Sequence, residues 1–78
     1  AEMKETLEII IKNLVEFPDE VSVKEVAGEK SVVYEVKVAE TDMGKVIGRE
    51  GKIAGAIRTV MKALAAKEQK RVSVEFIG

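Results

Sequence analysis

The sequence predicts an α+β domain whose elements follow the order helix, strand, strand, helix, helix, strand. In three segments apolar residues recur at three- and four-residue intervals, as in amphipathic helices, and in three others they alternate with polar residues, as in strands. A chain of 78 residues, 46% apolar and 35% charged, can form one compact core but not two. We therefore expect residues 1–78 to form a single domain, a three-stranded mixed sheet with three helices packed on one face.

The first helix is predicted from Met3 to about Glu16. Its spacing forms one apolar stripe, made of Met3, Leu7, Ile10, Ile11, Leu14 and Val15. Ile9 falls outside the stripe and is expected to be exposed. Pro18 disfavours helical geometry at Phe17, so the helix should end there in a solvated turn.

Two strands should follow and pair as an antiparallel hairpin. The first contains Val21, Val23 and Val26, whose alternation slips once and suggests a β-bulge. Residues 27–30 fit the hairpin loop. The second strand has one face of apolar residues, namely Val32, Tyr34, Val36 and Val38.

The last three elements return the chain to the sheet. Thr41 or Asp42 can cap a short helix that ends at Gly48. A longer helix should begin after Gly51 and run to about Lys67, with a stripe of Ile53, Ile57, Val60, Met61 and Leu64. Alternation in residues 72–76 predicts the third strand, which a crossover through two helices lays parallel to its neighbour.

The amino-acid composition excludes several classes of function for this chain. The chain has no Cys and no His, which excludes disulfides, thiolate metal sites, cysteine nucleophiles and imidazole acid–base chemistry. With no convergent pair of carboxylates predicted either, we expect no enzyme activity and no cofactor. No apolar run approaches the roughly 20 residues that span a bilayer, so we expect a cytoplasmic protein without membrane contact.

The charges are divided unevenly along the chain. Residues 1–43 contain five Lys/Arg and eleven Asp/Glu, a net charge of −6, whereas residues 44–78 contain eight and three, a net charge of +5. Such asymmetry suggests an anionic partner for the basic half. Lys62, Lys67, Lys70 and Arg71 can instead complement the dipole at the end of the last helix.

The sign of the charge reverses at the four-residue turn Gly48-Arg49-Glu50-Gly51, which we call the glycine turn. Glycine at both corners lets the backbone approach another molecule closely. The helix after Gly51 offers free N–H groups and the positive end of its dipole, an arrangement that suits phosphate. The nearby cations that could hold it are Lys45, Arg49, Lys52 and Arg58.

Other motifs with glycine fit less well. The spacing of Gly44, Gly48 and Gly51 is not that of the dinucleotide fingerprint, which also follows a strand. A P-loop would need Ser or Thr at the position of Ile53. The alternative that stays open is that Gly44/Gly48 and Gly51/Gly55 only allow helices to pack closely.

The run Val46-Ile47-Gly48-Arg49-Glu50-Gly51, set between two helices, resembles the GXXG signature of KH domains. The element order is similar to that of type II KH domains. The match covers essentially the whole chain and is closest to the KhpA/YlqC family of small bacterial RNA-binding proteins.

This resemblance implies a site and partners. Gly48 to Gly51 would clamp the backbone of about four nucleotides of single-stranded RNA, and aliphatic residues would form the floor beneath the bases, namely Val46, Ile47 and Ile53, with Val36 or Val38. Each of these can equally be core packing. Ile53 follows Gly51 by two positions rather than the usual three, and Glu50 adds a negative charge to the loop. The family also implies homodimers, or heterodimers with a larger KH-containing protein of the Jag type.

A second class of function is consistent with the same pattern. The domain could serve protein interaction or assembly alone, with its glycines used for helix packing. That hypothesis predicts association through Ile9 or the solvent face of the sheet, and no RNA binding that depends on salt.

Overall fold

The structure, a computed structural model, describes residues 2–77 of the 78-residue chain. In these residues three helices and three strands follow the predicted order: α1 (Glu2–Leu14), β1 (Ser22–Ala27), β2 (Ser31–Lys37), α2 (Met43–Ile47), α3 (Lys52–Lys67) and β3 (Arg71–Ile77). Short 3-10 turns lie at Pro18–Glu20, Glu40–Asp42 and Arg49–Gly51. Within the same range no helix has the length and apolar character needed to cross a bilayer.

The sheet has the order β1-β2-β3, so both outer strands have an open edge. β1 pairs antiparallel with β2, and β2 pairs parallel with β3, which confirms the mixed sheet. Pairing of β1 with β2 runs without a gap from Ser22↔Lys37 to Ala27↔Val32, so the predicted bulge is wrong. The alternation slips because Val26 belongs to the outer face, where it is 50% exposed, whereas Val23 is buried.

The core lies between the sheet and one layer of helices. Val32, Tyr34 and Val36 of the central strand all project toward the helices and are buried. They pack with buried side chains of the helices and outer strands, namely Met3, Leu7, Ile11, Val23, Val46, Ile57, Met61, Ala65 and Val74. Burial of one such aliphatic side chain contributes roughly 1.5–3 kcal/mol, so this core accounts for the placement of α2 and α3 on one face.

α1 ends at Leu14, two residues earlier than the apolar stripe predicts. To continue the helix, the N–H groups of Glu16 and Phe17 would have to bond carbonyls one turn earlier. They donate instead to the carboxylate of Asp42, at 3.0 Å each. A long-range contact therefore ends the helix before Pro18 does.

Candidate functional site

The glycine turn joins α2 to α3 through an unusual backbone. Gly48, Glu50 and Gly51 all have positive φ, at 77°, 58° and 74°. The turn is closed by Gly48 N–H donating to Gly44 O at 2.9 Å, and by Gly51 N–H donating to Gly48 O at 3.2 Å. Because three of its four residues have positive φ, the backbone bends sharply within the turn.

Gly48 requires glycine for two reasons. Its backbone, at φ 77° and ψ 174°, lies in a region open essentially to glycine alone. A Cβ at this position would also stand 2.6 Å from Cγ1 of Ile53, well inside van der Waals contact. The Ile53 side chain therefore packs directly over the corner of the turn.

Gly51, Gly44 and Gly55 show no such close approach. A Cβ built on any of the three would meet nothing within 4 Å, and of these only Gly51 has a positive φ. Close packing of helices therefore does not explain these glycines. At Gly51 the left-handed backbone alone favours glycine.

The backbone angles within the turn are those of an anion-binding nest. Arg49 keeps helical angles while Glu50 is left-handed, at φ 58° and ψ 25°. Successive right- and left-handed residues of this kind form a concave nest of N–H groups. The N-terminus of the 16-residue helix α3 follows directly and adds its positive dipole end.

Arg49 lies within the glycine turn, and Lys52 follows it directly at the start of α3. Both side chains are exposed, and neither takes part in an ion pair with the described side chains of residues 3–77. Their charges are therefore free to act on an anion at the turn. Glu50, also exposed, sets one negative charge beside them.

Lys45 is placed differently from the sequence expectation. Its Nζ lies 2.8 Å from Oε1 of Glu16 and 3.4 Å from Oδ1 of Asp42, so two carboxylates compensate its charge. The hydrogen bond to Glu16 raises the pKa of the ammonium. Lys45 thus ties α2 to the segment after α1 and adds little to the field of the turn.

Asp42 does not cap α2, the role for which the sequence made it a candidate. It precedes α2, but its side chain makes no capping bond there. It is fully buried and accepts the N–H groups of Glu16 and Phe17. Burial alone would raise the pKa of this carboxyl, yet these donors and Lys45 lower it below its ordinary value. The partners lie 25 and 26 residues away, so no local pattern reveals the contact.

The aliphatic residues expected beneath the bases lie mostly in the core. Val46 and Val36 are 0% exposed and Val38 is 6% exposed, so none of the three reaches a surface groove. Ile47 and Ile53 are partly buried and pack against the core. Of the expected floor, only these two side chains are more than slightly exposed.

A groove lies between α3 and the open edge of β3. The guanidinium of Arg58 bridges it, because its Nε donates to Val74 O at 3.1 Å and its Cζ lies 5.4 Å from the centroid of the Phe76 ring. A cavity of about 280 Å³ opens there, lined by Arg58, Lys62, Val72, Ser73 and Val74.

The edge of β3 offers its backbone to this groove. Arg71 N–H donates to Lys30 O on the side of β2, at 2.9 Å. Because N–H and C=O groups alternate in direction along a strand, those of Val72, Val74 and Phe76 face the open edge. The bond from Arg58 to Val74 O agrees with this direction. The sequence predicted β3 but not that its edge would border the site.

Comparison with known proteins decides the family. The family described as "KhpA/KhpB, KH domain" matches residues 4–76. The chain belongs to this family. The RNA-binding protein KhpA of Clostridium acetobutylicum is 64% identical over 75 residues, which cover 96% of this chain and all of that protein. The RNA-binding protein KhpA of Caldanaerobacter subterraneus is 56% identical, and the match covers 96% of this chain and all of that protein. The RNA-binding protein KhpA of Chlamydia pneumoniae is 49% identical, and the match covers 96% of each chain.

Membership in the KhpA/KhpB family confirms the resemblance inferred from residues 46–51 and the type II order of elements. The GXXG turn of this KH domain therefore lies where the sequence placed it, between two helices. Among the side chains of residues 3–77, no group of three or more acidic residues is arranged to hold a metal ion.

This KH domain has a second groove, on the opposite side of α3. At about 100° per residue, Arg58 and Val60 lie on nearly opposite faces of the helix. A cavity of about 330 Å³ lies between α1 and α3, lined by Ile10, Leu14, Lys52, Ile53, Ala56, Ile57 and Val60. Leu14 and Val60 were expected in the core but are 36% and 43% exposed. The apolar stripes of α1 and α3 are wider than the helix surface that the sheet covers.

Proposed function

We propose that this KH domain binds single-stranded RNA and performs no catalysis. The observation that carries the proposal is the glycine turn, whose left-handed backbone and free cations Arg49 and Lys52 form an anion site at the start of α3. Relatives at 49–64% identity named RNA-binding protein KhpA support the choice of ligand. We further propose that the chain acts as one domain in the cytoplasm.

The glycine turn would hold the sugar–phosphate backbone. Glycine corners would let a phosphate approach the amides of residues 49 and 50, and Arg49 and Lys52 would supply the charge-assisted contacts. The carboxylate of Glu50 would oppose this attraction. We expect two to four phosphates to be neutralised, so the slope of log affinity against log salt should be roughly −1.5 to −3.

The bases would lie along the β3 edge. The backbone N–H and C=O groups of Val72, Val74 and Phe76 face the groove and can bond the edges of unpaired bases. Arg58 occupies one of these groups, Val74 O, and keeps further N–H donors on its guanidinium. In a duplex the pairing edges of the bases are already occupied, so the groove should select single strands.

Titration with single-stranded RNA tests the proposal. The double variant Arg49→Gln/Lys52→Gln should bind at least roughly tenfold more weakly and show a shallower salt slope, because each lost phosphate contact removes about 0.7 from the slope. Lys24→Gln/Lys67→Gln removes the same charge from exposed sites outside the grooves and is the matched control. Unchanged binding by a folded Arg49/Lys52 variant, or equal weakening by the control, would contradict the proposal. Parallel titrations with single-stranded DNA and with duplex RNA establish which class of nucleic acid the domain binds.

We also propose that the apolar groove between α1 and α3 receives a second KH domain, either another copy of this chain or that of a Jag-type protein. Ile9, 61% exposed on α1, extends the apolar surface available to a partner. The groove faces away from Arg58 and the β3 edge, and it shares only Lys52 and Ile53 with the start of α3 beside the glycine turn. Pairing would join two weak RNA sites and raise the overall affinity.

Sedimentation of the purified chain tests the pairing. Val60→Glu places a charge in the apolar groove without removing a buried side chain, so the variant should fold and be monomeric at concentrations where the wild type self-associates. Lys24→Glu, on the outer face of the sheet, is the control. A Val60→Glu protein that associates as the wild type does would contradict this surface.

A further inference from the structure

Three cations meet at the end of the β3 groove that lies farthest from the glycine turn. Lys62, Lys70 and Arg71, which we call the distal cluster, line a cavity of about 400 Å³ together with Val72 and Ser73. Lys62, Val72 and Ser73 also line the cavity that holds Arg58. The two cavities are therefore parts of one groove.

The distal cluster lies well beyond the first phosphates at the turn. Lys62 follows Lys52 by ten residues, about 15 Å along a helix. Lys70 N–H donates to Ala65 O at 2.9 Å, which places the start of β3 about 20 Å from Lys52 along the same axis. A strand held at the glycine turn and running along the groove would reach these cations with its later nucleotides.

Carboxylates do not neutralise the distal cluster. Among the side chains that the structure describes, those of residues 3–77, both ion pairs involve Lys45, so no described carboxylate pairs with Lys62, Lys70 or Arg71. Glu68 is the nearest acid along the chain. The dipole of α3 explains a cation such as Lys62 only in part, and Lys70 and Arg71 lie beyond the end of α3 at Lys67.

The backbone around the distal cluster is fixed. Between α3 and β3, the N–H groups of Glu68, Gln69, Lys70 and Arg71 all donate to backbone carbonyls, at 2.9–3.0 Å. Arg71 is bonded in this way to Lys30, so the hairpin loop lies at the same end of the groove. A fixed backbone lowers the entropic cost of binding an anion there.

We propose that the distal cluster binds one or two phosphates of the same RNA strand, beyond the nucleotides held at the glycine turn. The binding site of this domain then exceeds four nucleotides. This inference rests on the proposed function, because it requires that RNA occupies the groove.

A length series tests it. Wild type, Lys62→Gln/Lys70→Gln and the control Lys24→Gln/Lys67→Gln are titrated with randomised RNA of four and of eight nucleotides over a range of salt concentrations. The distal variant should bind the octamer roughly three- to tenfold more weakly, with a salt slope about 1.4 shallower for two lost phosphates. Its tetramer affinity and both affinities of the control should stay within about twofold of wild type.

The outcomes separate the two proposals. Equal weakening of tetramer and octamer would place the cations inside the four-nucleotide site and overturn the inference, and so would an octamer affinity that the distal variant leaves unchanged. In both cases wild-type binding leaves the proposed function intact. If the wild type binds neither RNA, the proposed function fails and the inference fails with it. The tetramer can also be extended separately at its 5′ or its 3′ end. Only one of the two extensions should make the distal variant bind more weakly than the wild type.

Discussion

Gly48 and Gly51 stand at equivalent corners of one turn, but a side chain would meet different surroundings at each. At Gly48 it would meet both an unfavourable backbone and Ile53, whereas at Gly51 it would project into open space. The early position of Ile53, two residues after Gly51, has its explanation here, because this side chain covers Gly48. Ile53 thus serves to pack the turn.

Alanine substitutions should separate the two glycines. Gly48→Ala should lower the free energy of unfolding by about 3 kcal/mol, because backbone strain and the clash with Ile53 add together. Gly51→Ala should cost about 1 kcal/mol for its left-handed φ alone. Urea denaturation of both variants measures the difference, and Gly55→Ala, in open space within α3, is the control. Equal losses at residues 48 and 51 would contradict the geometry of the turn.

Asp42 makes the stability of the fold depend on pH. Its folded pKa lies below the value of about 3.9 expected in the unfolded chain. A depressed carboxyl pKa stabilises the fold fully above about pH 4, and the contribution is lost as pH falls through the folded pKa. Lys45 has a raised pKa and acts in the opposite direction, since its contribution is lost only as pH rises past about 10.4.

Asp42→Asn should therefore destabilise the protein at pH 7, and the difference from wild type should shrink as the pH falls below about 4. The amide cannot accept both N–H groups of Glu16 and Phe17 without turning its own NH2 toward one of them. Denaturant titrations at pH 7, 5 and 3 test this. A difference that stays constant across this range would show that the charge of Asp42 has no part in the contact. Asp19→Asn, in an exposed turn, is the control.

At the scale of elements, periodicity predicted the type and order of every helix and strand because each buries one regular face. The bounds of α2 and α3 follow directly from Gly48 and Gly51. Three features could not be read locally: the early end of α1, the regular register of β1, and the exposure of Leu14 and Val60. Each depends on contacts with a distant segment or on how much of a helix the sheet covers.

The sequence was enough to predict the glycine turn of the candidate site, but not the groove along β3. Glycine spacing and charge point to residues 48–51 as a candidate site, whereas the β3 edge joins the candidate site only through the fold, which brings Arg58 to Val74 O. Val46 carries an apolar side chain next to the turn, and sequence alone cannot tell a groove floor from a core position there. Lys45 was counted as free because its partners Glu16 and Asp42 are brought to it by the fold.

At the scale of the whole molecule, α3 separates two surfaces of different chemistry. One side has a basic groove against the open edge of β3, and the other has an apolar groove against α1. The charge reversal along the sequence corresponds to the first of these, with the exception of Lys45. The two grooves come closest at the start of α3, because Lys52 and Ile53, which directly follow the glycine turn, line the apolar groove.

The central claim is that RNA lies along the glycine turn and the β3 edge, and an NMR titration tests it most directly. Adding a single-stranded RNA octamer to the uniformly 15N-labelled chain should shift the amide signals of residues 48–52, 58 and 72–74. Amides of the outer sheet face and of α1 should change little. Shifts confined to α1 and the apolar groove, or no shifts at low salt, would contradict the account.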